Sequence, residues 1–356
     1  MKTKLFSVLG LCVLAWAVTA AAQDWDKTVA AAKKEGAISI SASSSELLRQ
    51  VLITFEKDYP EIKVSYQSGN LRDFWAKMEK EREVGQYLWD ARVGGVDAST
   101  YQAKEKGLLD PLPPLLAVPE VVDDSKWVGG LRSLFGDKEK KHVLIFSGYQ
   151  VGFAVDRDAV PEKDFKSAQD LLNPRWKGKI VMQDPRRGGS GNEAVAAFII
   201  KYGEQFAHDL LVKQEVVISD NKRQMAEWLV RKRYPIAVGL GSDDTIAQFQ
   251  QQGLGKNVKS VPIGDGDTLG GDTVIVINKA PHPNATKVFV NWLLSQKVQV
   301  QLGQVAQMNS RRTDVKPGNP ELALNPKRIG NYLQMPGEES LQAKLKAQQL
   351  GKQLIK

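Results

Sequence analysis

The stretch DPRRGGSGNEAVAAFIIKYG, residues 184–203, decides how this sequence folds. An apolar run at residues 180–182 precedes it, and an alanine-rich pattern with apolar residues at Val195 and Phe198 lies in its second half. The first pattern is typical of a short strand, and the second is typical of one face of a helix. Because glycines fill the turn between them, the backbone there can bend closely. The stretch therefore predicts a strand, a tight turn and a helix.

The head of this helix is a candidate anion site. The first turn of a helix carries unpaired N–H groups and the positive end of the helix dipole. Ser190, Gly191 and Asn192 would bring these donors close to the guanidinium groups of Arg186 and Arg187. Such a group of donors suits a phosphate, carboxylate or sulfonate. The alternative is an ordinary strand-to-helix turn, capped by Ser190 or Asn192, with both arginines in solvent.

Residues 1–22 are typical of an export signal. Lys2 and Lys4 flank an apolar core at residues 5–18, and small residues at 20–22 offer an Ala-x-Ala cleavage site. The apolar core is too short for a membrane span. We therefore expect a soluble protein that is exported to the periplasm and does not insert into the membrane.

Composition excludes several classes of protein. The only cysteine, Cys12, lies in the signal, so the mature chain has no thiol for a disulfide, a metal or a nucleophile. Removal of 22 of the 356 residues leaves 334, which is enough for two lobes. The formal charge falls from +8 to +6, because Lys2 and Lys4 are lost. This excess is spread along the chain, so it favours anionic ligands weakly and does not indicate nucleic acid.

Strands alternate with helices along the chain, which predicts an α/β architecture with largely parallel sheets. Extended segments at residues 146–155, 257–266 and 268–281 are predicted to cross between two lobes, the last two as one second crossing. In open α/β sheets, ligands bind where strands lead into helices. Five such junctions are small, hydroxylated or rich in glycine: residues 43–45, 94–95, 190–192, 239–242 and 270–272. We expect these junctions to form two facing walls.

Patterns for catalysis and metal binding are missing. His142, His208 and His282 do not have the spacing of metal ligands. The run GGSGN at residues 188–192 lacks the second glycine of a Gly-x-Ser-x-Gly nucleophile elbow, and the sequence has no G-x-x-x-x-G-K-S/T phosphate loop. We therefore predict a protein that is not an enzyme and that needs no cofactor and no catalytic or bound metal.

Six motifs follow one another in a specific order. They are WDKTVAAAKKEGAISI, FEKDYPEIKVSYQSG, KGLLDPLPP, GFAVDRDAV, WKGKIVMQDP with its glycine-serine loop, and NATKVFVNWLLSQKVQ. Each motif alone has low specificity. Together and in this order, the motifs resemble those of extracellular solute-binding proteins of ABC importers, in the ferric-ion-type branch. The resemblance covers nearly the whole mature chain. It implies a two-lobe, type II periplasmic-binding fold, in which crossover strands join the lobes and the ligand is clamped between them.

This resemblance implies a division of the chain into four parts. They are the signal peptide (1–22), a discontinuous first lobe (23–147 and 273–330), a second lobe (148–272) and a C-terminal helical tail (331–356).

The resemblance also implies where a ferric ion would bind. Ferric members use a pair of adjacent tyrosines, often with a histidine in the first loop and an acid in the third. The pair would fall near residues 239–243, which read GLGSD, and the first loop has serines at 43–45. Asp243, Asp244 and Asp272 would be the remaining oxygen ligands for iron. The resemblance also implies carriers of phosphorylated sugars, phosphoglycerate, phosphonates, thiamine and polyamines, and the loop at Ser190 with Arg186 and Arg187 favours the anionic ones.

We predict ligand-binding residues in both lobes. They are Ser43, Ser44, Ser45 and Gly95 in the first wall, Arg187, Ser190, Gly191, Asn192, Gly241 and Ser242 in the second, and Tyr149 and Asp272 at the crossovers. The serines at 43–45 could instead only cap a helix, Tyr149 could pack at the hinge, and Asp272 could cap a turn. Arg311 and Arg312 are expected to lie in solvent.

The predicted function is periplasmic binding of a small anionic metabolite for delivery to an ABC importer. The predicted partners are the ligand and the permease, on which the protein docks as a monomer after hinge closure. The alternatives are a ferric-ion, polyamine or thiamine carrier of the same family, and a periplasmic sensor that presents its ligand to a receptor kinase.

Overall fold

A computed structural model gives the fold and describes residues 23–240, 244–263 and 268–355. The predicted signal peptide and the candidate ligand residues Gly241 and Ser242 lie outside these described residues.

The first sheet contains strands from both ends of the chain. They are β1 (Ala37–Ala42), β2 (Lys63–Ser68), β3 (Ala91–Gly94), β4 (Leu109–Asp110), β5 (Leu144–Ile145) and β13 (Thr273–Ile277). The spatial order is β2-β1-β3-β13-β4, and β5 also pairs with β13. β1 is parallel to β2 and β3, with Ile40 opposite Tyr66 and Ala91. β13 is antiparallel to its neighbours, so a late strand completes a sheet that starts near the amino end.

The second sheet is built from the middle of the chain. Its strands are β7 (Gly152–Asp156), β8 (Ile180–Gln183), β9 (Val217–Ser219), β10 (Ile236–Val238) and β11 (Val258–Pro262). Their order is β11-β7-β10-β8-β9. β8 is parallel to β9 and β10, so the loops that follow these three strands emerge at one edge. β7 is antiparallel to β10 and β11.

A small third sheet lies where the chain passes between the other two. It contains β6 (Tyr149–Gln150), β12 (Thr268–Gly270) and β14 (Leu333–Gln334). β12 pairs with β6 antiparallel and with β14 parallel, and Leu269 lies opposite Gln150. Both connections therefore run side by side here. The predicted boundaries between the lobes, after residues 147 and 272, fall next to these strands. The boundaries themselves remain a prediction.

Helices cover the sheets. In chain order they are α1 (23–35), α2 (Glu46–Leu52), α3 (Phe55–Asp58), α4 (Leu71–Glu83), α5 (Ala98–Glu105), α6 (Pro119–Val122), α7 (Ser190–Tyr202), α8 (Glu204–Lys213), α9 (Lys222–Val230), α10 (Asp244–Gln251), α11 (Pro283–Leu294), α12 (Gln296–Ala306) and α13 (Leu341–Leu354). Short 3-10 turns occupy Pro113–Leu115, Asp124–Lys126, Leu131–Leu134, Glu162–Asp164, Ala168–Leu172, Pro174–Trp176, Pro320–Leu322, Pro326–Asn331 and Glu338–Ser340.

Each large sheet separates two apolar layers, because successive side chains of a strand point to opposite faces. In β13, Val274 shares a core with Phe289 of α11, whereas Ile275 packs on the other face with Trp75 of α4. The second sheet follows the same rule, since Met182 and Val181 belong to different cores.

The last segment of the chain, residues 333–355, packs against both halves of the molecule. Helix α13 lies on α7 and α8, and Ala347 and Leu350 belong to the core of the second sheet. Just before it, the hydroxyl of Tyr101 in α5 donates to Pro336 O, and Lys104 Nζ lies 2.9 Å from Glu338 Oε2. The sequence predicts a final helix from residue 338 to about 350. The structure has a 3-10 turn first and continues α13 to Leu354.

Candidate ligand site

The predicted strand, turn and helix are β8, residues 184–189 and α7. Gly189, with φ of 130°, precedes the first helical residue, Ser190. A Cβ on Gly191 would overlap the carbonyl oxygen of Gln183, so only glycine fits at that position. The head of α7 therefore approaches the end of β8 closely.

Two of the predicted donors have partners inside the protein. The Gly191 N–H donates to the side chain of Gln183, Oε1, over 2.8 Å. The Nδ2 group of Asn192 donates to Lys344 O over 2.9 Å and to Pro185 O over 3.3 Å, and Asn192 is 1% exposed. The side-chain donors of Asn192 thus join the turn to α13.

The two arginines of the turn also pair with carboxylates. Arg186 forms a two-pronged pair with Asp184, with Nη2 2.8 Å from Oδ2 and Nε 2.9 Å from Oδ1. Burial raises the pKa of Asp184, but the hydrogen bonds and charge of Arg186 outweigh this effect and lower it. Arg187 lies 3.1 Å from Asp220, and its side chain is 66% exposed. Arg186 is thus a structural element of the turn, and Arg187 lies at the rim.

Ser190 faces a cation that the sequence analysis did not select. Lys222 Nζ, in the first turn of α9, donates to Ser190 Oγ over 3.1 Å, and both residues are half-buried. The two residues meet because β8 and β9 are parallel neighbours and each leads into a helix at the same edge. A lysine directly after a predicted strand was the available signal, but register is needed to place it next to Ser190.

One helical turn further along α7, Glu193 lies near the crossover strands. Tyr149 Oη, in β6, donates to Glu193 Oε2 over 3.3 Å. A Cβ on Gly270 of β12 would overlap the Tyr149 ring and would lie 2.9 Å from Glu193 Oε1. Tyr149 and Glu193 are half-buried, so part of each residue remains accessible.

The first-lobe residues lie at the ends of β1 and β3. Ser43 Oγ accepts from the Gly95 N–H over 3.3 Å, and a Cβ on Gly94 would overlap Ser43 Oγ. Ser44 is exposed. Ser45 accepts from Leu48 N over 3.0 Å, so it caps α2 in the way the alternative interpretation predicts.

Asp272 lies at the end of the second crossover. Its N–H donates to Ser147 Oγ over 2.8 Å, and its carbonyl accepts from Phe146 N over 3.1 Å. These bonds hold the two connections together, and the residue as a whole is half-buried.

The two walls touch at the turn. A Cβ on Gly188 would overlap Asp97 Oδ2, and Asp97 caps α5 by accepting from Ser99 N. Lys344 Nζ of α13 donates to Val96 O over 3.3 Å. The turn before α7 therefore faces the loop between β3 and α5 across the gap between the lobes.

The expectation for Arg311 and Arg312 is wrong, because both are buried. Arg311 Nη2 donates to Ser133 Oγ over 2.9 Å, and burial lowers its pKa to about 10. Arg312 pairs with Asp314 over 2.8 Å and with Glu120 over 3.2 Å. The sequence shows two adjacent arginines among polar residues. It does not show that both side chains have hydrogen-bond acceptors inside the protein.

One cluster of metal-type donors occurs among the described residues: Asp137, Glu139 and His142, whose ligand atoms lie within 4.8 Å of one another. Asp137 Oδ1 accepts the N–H groups of His142 and Val143 at 3.0 Å, and Glu139 pairs with Lys104 over 2.6 Å. The hydrogen bonds and the ion pair of these three residues therefore hold the loop at residues 137–143 in place.

Within the part of the chain that the structure describes, no helix has the length and apolarity to span a membrane.

Comparison with known proteins gives a family match, one relative by sequence and two similar solved structures. The model of a family described as bacterial extracellular solute-binding protein matches residues 50–328. An uncharacterized protein of Haemophilus influenzae is 25% identical over 277 residues, which cover 75% of each chain. Iron-bound HitA from Pseudomonas aeruginosa is 17% identical with a TM-score of 0.71, and covers 90% of this chain and 99% of its own.

AfuA from Actinobacillus pleuropneumoniae, solved with exogenous fructose-6-phosphate bound, is 21% identical with a TM-score of 0.62. The match covers 87% of this chain and 97% of AfuA. At these identities the likeness shows the fold, and the predicted two-lobe α/β fold of periplasmic binding proteins is confirmed.

Proposed function

The chain belongs to the bacterial extracellular solute-binding protein family, and on that premise we propose that it binds a small anionic metabolite in the periplasm and delivers it to an ABC importer. The family and the fold are those of solute-binding transport proteins, so the prediction that the protein is not an enzyme is confirmed. The class of ligand, the periplasmic site of action and the residues that bind are the proposal.

The observation that carries the proposal is the pair of Ser190 and Lys222. It combines a hydroxyl, an ammonium group and the positive end of α7 at one point of the lobe that faces Asp97. An anion there would accept from Lys222 and from the Ser190 hydroxyl, whose proton can turn toward it. Arg187 at the rim adds positive charge, which would attract the ligand from solvent.

The facing wall would complete the site. Ser43, Ser44 and Gly95 lie at the ends of β1 and β3, where ligands of open α/β sheets bind. Hinge closure would bring this wall onto the anion, and a permease would recognise the closed conformation.

Iron is the less well supported cargo. The sequence contains no two adjacent tyrosines, and a hard trivalent cation needs several anionic oxygens. In the described part of the second wall, the ammonium group of Lys222 occupies a place next to Ser190 that would repel a cation.

Thermal unfolding of the mature protein with single ligands tests the proposal. The panel comprises inorganic phosphate, fructose 6-phosphate, citrate, spermidine, thiamine and ferric ion. Binding at a hundredfold excess over Kd should stabilise the protein by about 2.7 kcal/mol. We expect this effect from at least one anion and not from spermidine, thiamine or ferric ion.

Substitution then tests the site. Lys222→Met should weaken the best anion by roughly 10- to 100-fold, because a charge-assisted hydrogen bond is lost. Ser190→Ala should weaken it by a smaller factor. The control is Lys213→Met, which removes an exposed lysine of the same lobe and should leave affinity unchanged. A shift by ferric ion or spermidine alone, or unchanged affinity of Lys222→Met, would contradict the proposal.

A further inference from the structure

Helix α7 presents two polar side chains to the same region. Ser190 and Glu193 are three residues apart, and such pairs lie on one helix face with about 5–6 Å between their Cβ atoms. Ser190 is next to the ammonium group of Lys222, and Glu193 is next to the hydroxyl of Tyr149. A donor group and an acceptor group are thus one helical turn apart.

The carboxylate of Glu193 has unused hydrogen-bonding capacity. A carboxylate has about four lone-pair sites. Among the described residues, Tyr149 Oη donates the one hydrogen bond that this carboxylate accepts, over a long 3.3 Å. Burial raises the pKa of Glu193, whereas the charges of Lys344 and Lys222 and the bond from Tyr149 act in the opposite direction. A further donor would satisfy the group.

The surrounding cations indicate which donor fits. Lys344 is buried and donates to Val96 O, and it influences Glu193 without an ion pair of 4.0 Å or less between them. The charge of Lys222 also acts on Glu193. A ligand ammonium group would be repelled by both lysines, whereas a hydroxyl group would not.

We propose that Glu193, assisted by Tyr149, accepts a hydrogen bond from a hydroxyl group of the ligand whose anionic group is held by Ser190 and Lys222. This inference rests on the proposed function and narrows it to hydroxylated organic anions, such as polyol phosphates and hydroxy acids. Glu193 is then a specificity residue: it selects against anions that lack the hydroxyl group, because its carboxylate would be left without a partner.

Matched ligands test this inference. The probes are glycerol 3-phosphate against propyl phosphate, and 4-hydroxybutyrate against butyrate, with phosphoethanolamine for the ammonium group. Isothermal titration of the mature protein should give an affinity for one hydroxylated member that exceeds that of its partner by about tenfold or more. Phosphoethanolamine should bind no better than propyl phosphate.

Two substitutions assign the preference to Glu193. Glu193→Leu should reduce the ratio of affinities to about one, because it weakens binding of the hydroxylated member and does not weaken binding of propyl phosphate or butyrate. Tyr149→Phe, which removes one oxygen and keeps the ring, should reduce the ratio partly. Glu227→Leu, a substitution of a partly exposed glutamate in α9, is the control and should leave the ratio unchanged.

The outcomes separate the two proposals. Equal binding of both members of each pair by the wild-type protein would overturn the role of Glu193 and keep the anion site. Tighter binding of phosphoethanolamine would overturn the choice of a hydroxyl group. If no anion binds, the proposed function fails, and this inference fails with it. If Glu193→Leu does not fold, the ratio measured with Tyr149→Phe decides.

Discussion

At the scale of single residues, Arg312 shows how a charge is held inside the first lobe. Its side chain is inaccessible to solvent. It bonds to Asp314 over 2.8 Å, to Glu120 over 3.2 Å and to Leu294 O over 3.0 Å. Loss of Asp314 would leave the buried guanidinium group with Glu120, which is partly exposed, so its charge would be compensated only in part.

We therefore predict that Asp314→Ala lowers the free energy of unfolding by about 3 kcal/mol at pH 7. Urea unfolding followed by circular dichroism measures this loss. Glu227→Ala, which breaks an exposed pair with Arg231, is the control and should cost less than about 1 kcal/mol. Equal losses for the two variants would show that burial of the pair does not matter.

The same pair predicts a dependence on pH. Hydrogen bonds and charge from Arg312 lower the pKa of Asp314 below its usual 3.8. The folded state therefore binds this proton less readily than the unfolded state. The resulting stabilisation is complete above pH 3.8 and is lost as the pH falls through the lowered pKa. The stability difference between wild type and Asp314→Ala should shrink over that acidic range, and a constant difference would contradict the assignment.

Residue patterns predicted the junctions better than the side chains that act there. Glycines and a serine before an alanine-rich helix place Ser190 at a helix head whatever the tertiary structure. Lys222 and Glu193 could not be selected this way, because their significance depends on β9 lying beside β8 and on β6 lying beneath α7. The side chain of Asn192 has one of its two partners, Lys344 O, in a helix 152 residues away, which no local pattern shows.

At the scale of elements, the contact between α7 and α13 depends on Asn192. Its amide donates to carbonyls on both sides of the junction, Pro185 O and Lys344 O. Asn192→Ala should lower the free energy of unfolding by about 1–3 kcal/mol, because both buried carbonyls lose a partner. Thermal and urea unfolding test this expectation. The control is Asn257→Ala, which removes an exposed bond to Asp158 and should change stability by about 0.5 kcal/mol or less.

The outcome also distinguishes two roles of this residue. A junction residue changes stability and leaves the relative affinities for different anions unchanged. If Asn192→Ala loses anion affinity at unchanged stability, its side chain binds the ligand, as the sequence analysis predicts.

The alternation of strands and helices was readable from the sequence, because hydrophobic periodicity is a local property. The direction of the strands was less so. β7 and β13 run antiparallel to their neighbours, since they arrive through the crossover connections rather than after a helix. The start of α13 was displaced because residues 338–340 form a 3-10 turn against α5.

At the scale of the whole molecule, Gly188 controls how closely the two lobes approach. A side chain there would overlap Asp97, the cap of α5. Gly188→Ala should therefore weaken the best anion by about fivefold, because closure would cost about 1 kcal/mol, comparable to the loss of a helix cap. Titration calorimetry measures the affinity, and small-angle scattering at saturating ligand should show a larger radius of gyration than in wild type.

Gly330→Ala is the matched control, since a Cβ at that position meets nothing within 4 Å. It should change neither affinity nor radius. If Gly188→Ala binds like wild type and is equally compact, the contact between the turn and Asp97 does not limit closure.

The placement of β13 and α13 has a consequence for how the newly made chain folds. Chain that is made late completes both halves: Thr273–Ile277 adds a strand to the first sheet, and Ala347 and Leu350 of α13 complete the core against the second. A polypeptide that emerges amino end first can seal neither hydrophobic interior until almost all of it is free. For the exported protein that we propose, we expect a chain that stays threadable during translocation and becomes compact only after α13 has arrived.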